Sequence, residues 1–117
     1  MIEEKARDLG RMIGQSKEYQ ELKRANEALS QDPDAVNLLK QMEQLRAEAQ
    51  RMLSRGEQPT KDMERQLDEL LQKVQVQPVY QRLIAAQENF DKQMSKVNDW
   101  ILDGIDKGAA SPIIMLG

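Results

Sequence analysis

Neither cysteine nor histidine occurs among the 117 residues. Without Cys there is no disulfide framework, thiol nucleophile, iron–sulfur ligand or cysteine zinc site. Without His, the usual neutral-pH general base and commonest metal ligand is missing too. Aromatics make up only 3% of the chain, so burial must rest on Leu, Ile, Val, Ala and seven Met, whose flexible side chains fill gaps without fixing geometry. A core this thin is one that oligomerisation would thicken. No uncharged run approaches the roughly 20 residues of a membrane span, and the opening MIEEKARDLG is acidic and amphipathic, unlike a signal peptide. A cytoplasmic location is therefore expected. No sign of charge dominates either: 17 Lys and Arg stand against 20 Asp and Glu, and residues 1–30 carry six of each. With no basic patch to neutralise a run of phosphates or a lipid surface, neither direct nucleic-acid binding nor membrane attachment is expected.

What the chain does have is helical periodicity, divided by clear boundaries. Residues 2–29 carry Ile2, Ala6, Leu9 and Ile13, then Tyr19, Leu22, Ala25 and Leu29, at helical spacing. Gly14-Gln15-Ser16 separates the two sets and predicts a break, with Ser16 as N-cap of the restart. In SQDPDA, Asp32 is placed to cap a helix with Pro33 at its first position. That helix carries Ala35, Leu38, Met42, Leu45, Ala49 and Met52 at alternating spacings of three and four. Gly56 is expected to stop it. Thr60 then caps a third segment bearing Met63, Leu67, Leu70 and Val74, and the short RGEQPT connection predicts an antiparallel hairpin.

Pro78 opens the longest segment, in which Tyr80, Leu83, Gln87, Phe90, Met94, Val97 and Ile101 recur every three or four residues. From Val79 to Ile105 with its flanks this helix would run to roughly 40 Å, longer than a small domain is wide. Gln87 is the one polar residue on the seam and would fix register. Gly108 is expected to end the helix, leaving a domain of residues 1–107 and an apolar tail, residues 108–117, in which Ile113 to Leu116 form an isolated patch.

No residue set reads as a catalytic centre. Asp99, Asp103 and Asp106 share one helix face, where a solvated acidic face outweighs a hard-cation site because carboxylate bundle sites draw ligands from several helices. No serine has a base beside it in an activating pattern, GxxxxGK[ST] is absent, and no enzymatic activity or cofactor is expected. The candidate functional residues are instead contact residues. Gly10 and Gly14 form a small-residue notch that would let another helix approach closely. Leu83, Phe90, Met94, Val97 and Ile101 can serve either the chain's own core or a subunit interface. Trp100, beside the strict seam, widens the apolar face and is the favoured interface anchor.

The run LGRMIGQSKEYQELKRANEALSQDPDA resembles the N-terminal signature of the bacterial YlbF/YmcA family through Leu9, Gly10, Ile13, Ser16, Tyr19, Ala25, Asp32 and Pro33 in order. The RGEQPT turn and QPVYQRLIAAQENFDKQMSKVNDWI extend the similarity over residues 3–106. The resemblance implies an elongated all-helical fold, self-association, and a non-enzymatic regulatory role like that of members acting in a multiprotein complex. That complex directs an endoribonuclease in mRNA maturation and thereby affects competence, biofilm formation and sporulation. Some of those members carry C-terminal cysteines associated with an iron–sulfur cluster. This chain has none, which excludes the cluster here and places it nearer the Cys-free YheA-like branch.

Together these readings predict an all-α, elongated antiparallel helical bundle with a long C-terminal helix. It is expected to form a homodimer or higher oligomer and to act as an adaptor or regulatory scaffold for a protein partner. The rival reading is a structural or chaperone-like helical oligomer that holds non-native chains on its Met-rich faces.

Overall fold

A computed structural model describes residues 1–110. Among them are five helices and no strand: α1 (Ile2–Gly14), α2 (Lys17–Ser30), α3 (Pro33–Ser54), α4 (Lys61–Gln75) and α5 (Pro78–Ala110). Local chemistry accounts for the starts of α2 to α5 and for the end of α3, whereas α1 begins without a side-chain cap. The side chains of Ser16, Asp32 and Thr60 accept hydrogen bonds from the backbone N–H groups of Tyr19, Ala35 and Met63, satisfying donors that a helix start leaves free. Pro33 and Pro78 occupy first-turn positions, where a missing N–H costs nothing. At the far end of α3, Gly56 adopts φ +78°. Its N–H donates to the Leu53 carbonyl and that of Glu57 to the Met52 carbonyl, the paired bonds that close a helix on a left-handed residue.

Two of the connections share a device the periodicity does not reveal. Gln20 Nε2 donates to the Gly14 carbonyl (2.8 Å) across the α1/α2 break, and Gln81 Nε2 donates to the Gln75 carbonyl (3.0 Å) across the α4/α5 break. Each amide satisfies an orphan carbonyl of the preceding helix and ties the two helices at a bend. The expected stop at Gly108 does not occur: α5 runs through it to Ala110. A mid-helix glycine costs about 1 kcal/mol relative to alanine, and the two alanines that follow are the best helix formers. The apolar tail patch, Ile113 to Leu116, lies outside the described residues.

The molecule is extended, 65 × 36 × 19 Å, and consists of two helix pairs and α1, which joins the first through α2. In the first, α2 packs along α5. Tyr19 meets Phe90 with ring centroids 5.7 Å apart, and Ser16 lies beside Gln93, so numbers rise along one helix as they fall along the other and the pair is antiparallel. In the second, α3 and α4 form the expected hairpin. Their seams hold Ala35, Met42 and Val74 buried, with Leu38, Leu45, Met63, Leu67 and Leu70 half-buried. Contacts between α2 and α3 and between α4 and α5 join the pairs. Among the described residues the buried apolar positions are few and, Met42 apart, small: Ala25, Ala35, Met42, Val74, Ala86 and Val97.

Candidate interaction surface

The inward stripe of α5 differs from the sequence seam in an instructive way. Leu83, Phe90 and Val97, which the sequence left open between core and interface, face inward; between them the buried or half-buried positions are Ala86 and Gln93, while Gln87 and Met94 are exposed. Gln87 does not set register inside the chain; its amide donates to its own helix's Asp91 carboxylate at 2.9 Å. Gln93, half-buried, takes the polar role on this stripe. Its Nε2 donates to Glu18 Oε2 (3.2 Å), and its Oε1 accepts from the Ser16 hydroxyl (3.2 Å). That hydroxyl also has the Ile13 carbonyl within 2.6 Å while capping α2. A single cluster thus fixes the α1/α2 break, the start of α2 and the α2/α5 register.

This geometry sorts the candidate contact residues. Leu83, Phe90 and Val97 lie on the stripe against α2 and serve the chain's own packing. Trp100 is 67% exposed, Ile101 46% and Met94 37%, and Leu102 and Ile105 extend the open apolar surface. α2 begins at the level of Gln93, so the last turns of α5 project past it, as its length predicted. Trp100 also borders an open groove of about 520 Å³ together with Lys17, Glu18, Lys92, Lys96 and Val97.

Gly10 and Gly14 border a second open hollow with Ile13, Tyr19, Gln20 and Phe90. A methyl group built on either glycine would meet no atom within 4 Å. The notch is therefore free, with no helix of the described chain seated in it. α1 as a whole has no buried residue, and its apolar side chains include Ile2 at 87% exposure and Met12 at 68%.

Asp99, Asp103 and Asp106 are exposed, and Asp103 pairs with Lys107 of its own helix at 2.9 Å. Among the described residues no group of three potential ligands could hold a metal ion. No helix among them is long and apolar enough to cross a membrane.

Comparison with known proteins completes the description. Residues 2–106 match the family described as "Control of competence regulator ComK, YlbF/YmcA". Two curated relatives, each a "UPF0342 protein", come from Limosilactobacillus reuteri strain DSM 20016 and from L. reuteri subsp. reuteri strain JCM 1112. Each is 32% identical over 104 residues, spanning 89% of this chain and 85% of the relative. Among solved structures, a "Protein of Unknown Function (DUF964) from Bacillus stearothermophilus" superposes with a TM-score of 0.66 at 21% identity, covering 94% of this chain and 96% of that one. At that identity the likeness speaks for the fold alone.

Proposed function

Because this chain belongs to the YlbF/YmcA family, described as controlling the competence regulator ComK, we propose that it is a non-enzymatic regulator. It acts as a cytoplasmic adaptor that presents helix faces to protein partners. The observation that carries this reading is the uncovered apolar end of α5, where Trp100, Ile101, Leu102 and Ile105 stand between 46% and 67% exposed on a rigid helix. Leaving such side chains in water forgoes roughly 1.5–3 kcal/mol for each one that burial would gain, and a partner's surface can recover that gain. Trp on a preformed helix is also the residue type most often found at the energetic centre of an interface. The family's link to competence, and by resemblance to RNA processing, biofilm formation and sporulation, supplies the class of pathway.

The test is quantitative capture. Immobilised wild-type chain is expected to bind a defined partner saturably, and Trp100→Ala to weaken that binding by about 2 kcal/mol or more, some thirtyfold, with unchanged helical circular dichroism. A wild-type chain that binds nothing saturably but suppresses aggregation of unrelated proteins would instead establish the chaperone-like alternative.

A further inference from the structure

Two apolar surfaces of this chain lie open in part, with Ile2, Ala6 and Ile101 exposed and Leu9 and Ile13 half-buried, and they match each other. The stripe of α5 that α2 covers runs through Ala86, Phe90, Gln93 and Val97, and it continues without a change of phase through Ile101, Gly104 and Gly108. Its spacing from Val97 onward is four, three, four. The apolar stripe of α1, read backwards from Ile13 through Leu9 and Ala6 to Ile2, has the same four, three, four spacing.

The α2/α5 register fixes how such stripes would align. Tyr19 lies level with Phe90, and Ser16 with Gln93. Extending that antiparallel register, to within one residue, beyond Val97, which its own chain buries, brings Leu9 to the level of Ile101, Ala6 to Gly104 and Ile2 to Gly108. Small residues then fall where close approach is needed. An added methyl at Gly104 or Gly108 meets nothing within 4 Å, so that space is open. The flank agrees as well, because Met12 and Trp100, both about two-thirds exposed, come to the same edge of the pairing. Lengths agree too: α1 has 13 residues, and as many residues of α5 follow Val97.

Within one chain this pairing is not made. Ser16 is extended at φ −68°, ψ 155°, and the Gln20 bond to Gly14 holds α1 at the bend, where it makes no extended contact with α5. We propose that two copies exchange their α1 helices, each α1 lying antiparallel on the distal half of the other copy's α5 in the register that α2 uses on the proximal half. One copy brings both the exposed helix and its complement, so a two-fold arrangement closes with both faces covered. Reciprocity also makes the contact twice, which matters because stable interfaces bury roughly 800 Å² per partner. This inference rests on reading the exposed helix faces as contact surfaces, and it assigns one of them to a second copy.

The cysteine-free sequence makes a direct test possible. Chains carrying Ala6→Cys are mixed with chains carrying Gly104→Cys and oxidised gently, after circular dichroism has established native helicity for both. The expected result is a disulfide-linked heterodimer formed at least tenfold faster than with Glu4→Cys, which lies on the opposite face of α1, in place of Ala6→Cys. Equal rates for the two positions would overturn the proposal. So would the double variant Ala6→Cys/Gly104→Cys closing only within single chains. Neither negative result would touch saturable capture of a heterologous partner, so the two readings fail separately.

Discussion

The two halves of α5 are one continuous helix with one continuous apolar phase, yet they meet different surroundings. From Leu83 to Val97 the stripe lies under α2 and buries Ala86 and Val97. Beyond Val97 the same phase meets no other described helix, and Ile101, Leu102 and Ile105 are about half exposed. Composition does not make the difference. The break at Gln15–Ser16 does, because it turns α1 away just where a straight continuation of α2 would have covered the rest. The lesson is that one helix cap, at Ser16, decides how much of a helix more than seventy residues away in sequence is left for other molecules.

The contrast can be broken most severely on the covered half. Ala25 has no exposed surface, so Ala25→Asp would bury a carboxylate with no partner. It is expected to cost roughly 3 kcal/mol or more, seen as loss of a cooperative thermal transition by circular dichroism. A native-like melting temperature for this variant would show that α2 does not pack as described. An intermediate effect is expected at the boundary. Ser16→Ala removes a cap worth about 1 kcal/mol and deprives Gln93 of a partner, and urea titration should record the loss while hydrogen exchange rises at the start of α2. The smallest effect belongs to the open half. Ile101→Asp should change single-chain stability by no more than about 0.5 kcal/mol, measured at concentrations low enough to separate copies. At high concentration the same variant should sediment as a lighter species than wild type.

Much of the fold was readable in the sequence because it is written in short-range chemistry. Ser16, Asp32 and Thr60 cap helices as their side chains allow, Pro33 and Pro78 sit in first turns, and Gly56 supplies the left-handed residue that ends α3. The seams of α3 and α4 were legible because each offers a single three–four track of large apolar residues.

α5 was harder, since Leu83, Phe90 and Val97 belong equally to two tracks. Reading by side-chain size favours the track through Gln87 and Met94; the folded chain uses the one through Ala86 and Gln93. Small Ala86, near the level of small Ala25, is what two closely spaced helices require, and a size-weighted pattern scores it low. The polar role of Gln93 was invisible for a related reason, because its partners Ser16 and Glu18 are more than seventy residues distant in sequence. For the candidate surface, the length of the last helix pointed to exposure from Met94 to Ile105, and Met94, Trp100, Ile101, Leu102 and Ile105 are exposed while Val97 is buried. The matching openness of α1 became apparent only once its bend was known.

The order of the helices has a kinetic corollary. Both partners of the α2/α5 pair sit at the ends of a segment that contains all of α3 and α4, so bringing them together closes a long loop and forfeits the corresponding chain entropy. α3 and α4 need only a short turn to meet, and pairing between sequence neighbours is the fast kind. Once that hairpin forms, its two feet bring Ser30 and Pro78 into the same neighbourhood and shorten the effective loop. The hairpin, which contributes little to the open surface, is thus expected to act as the nucleus on which the contact-bearing helices assemble.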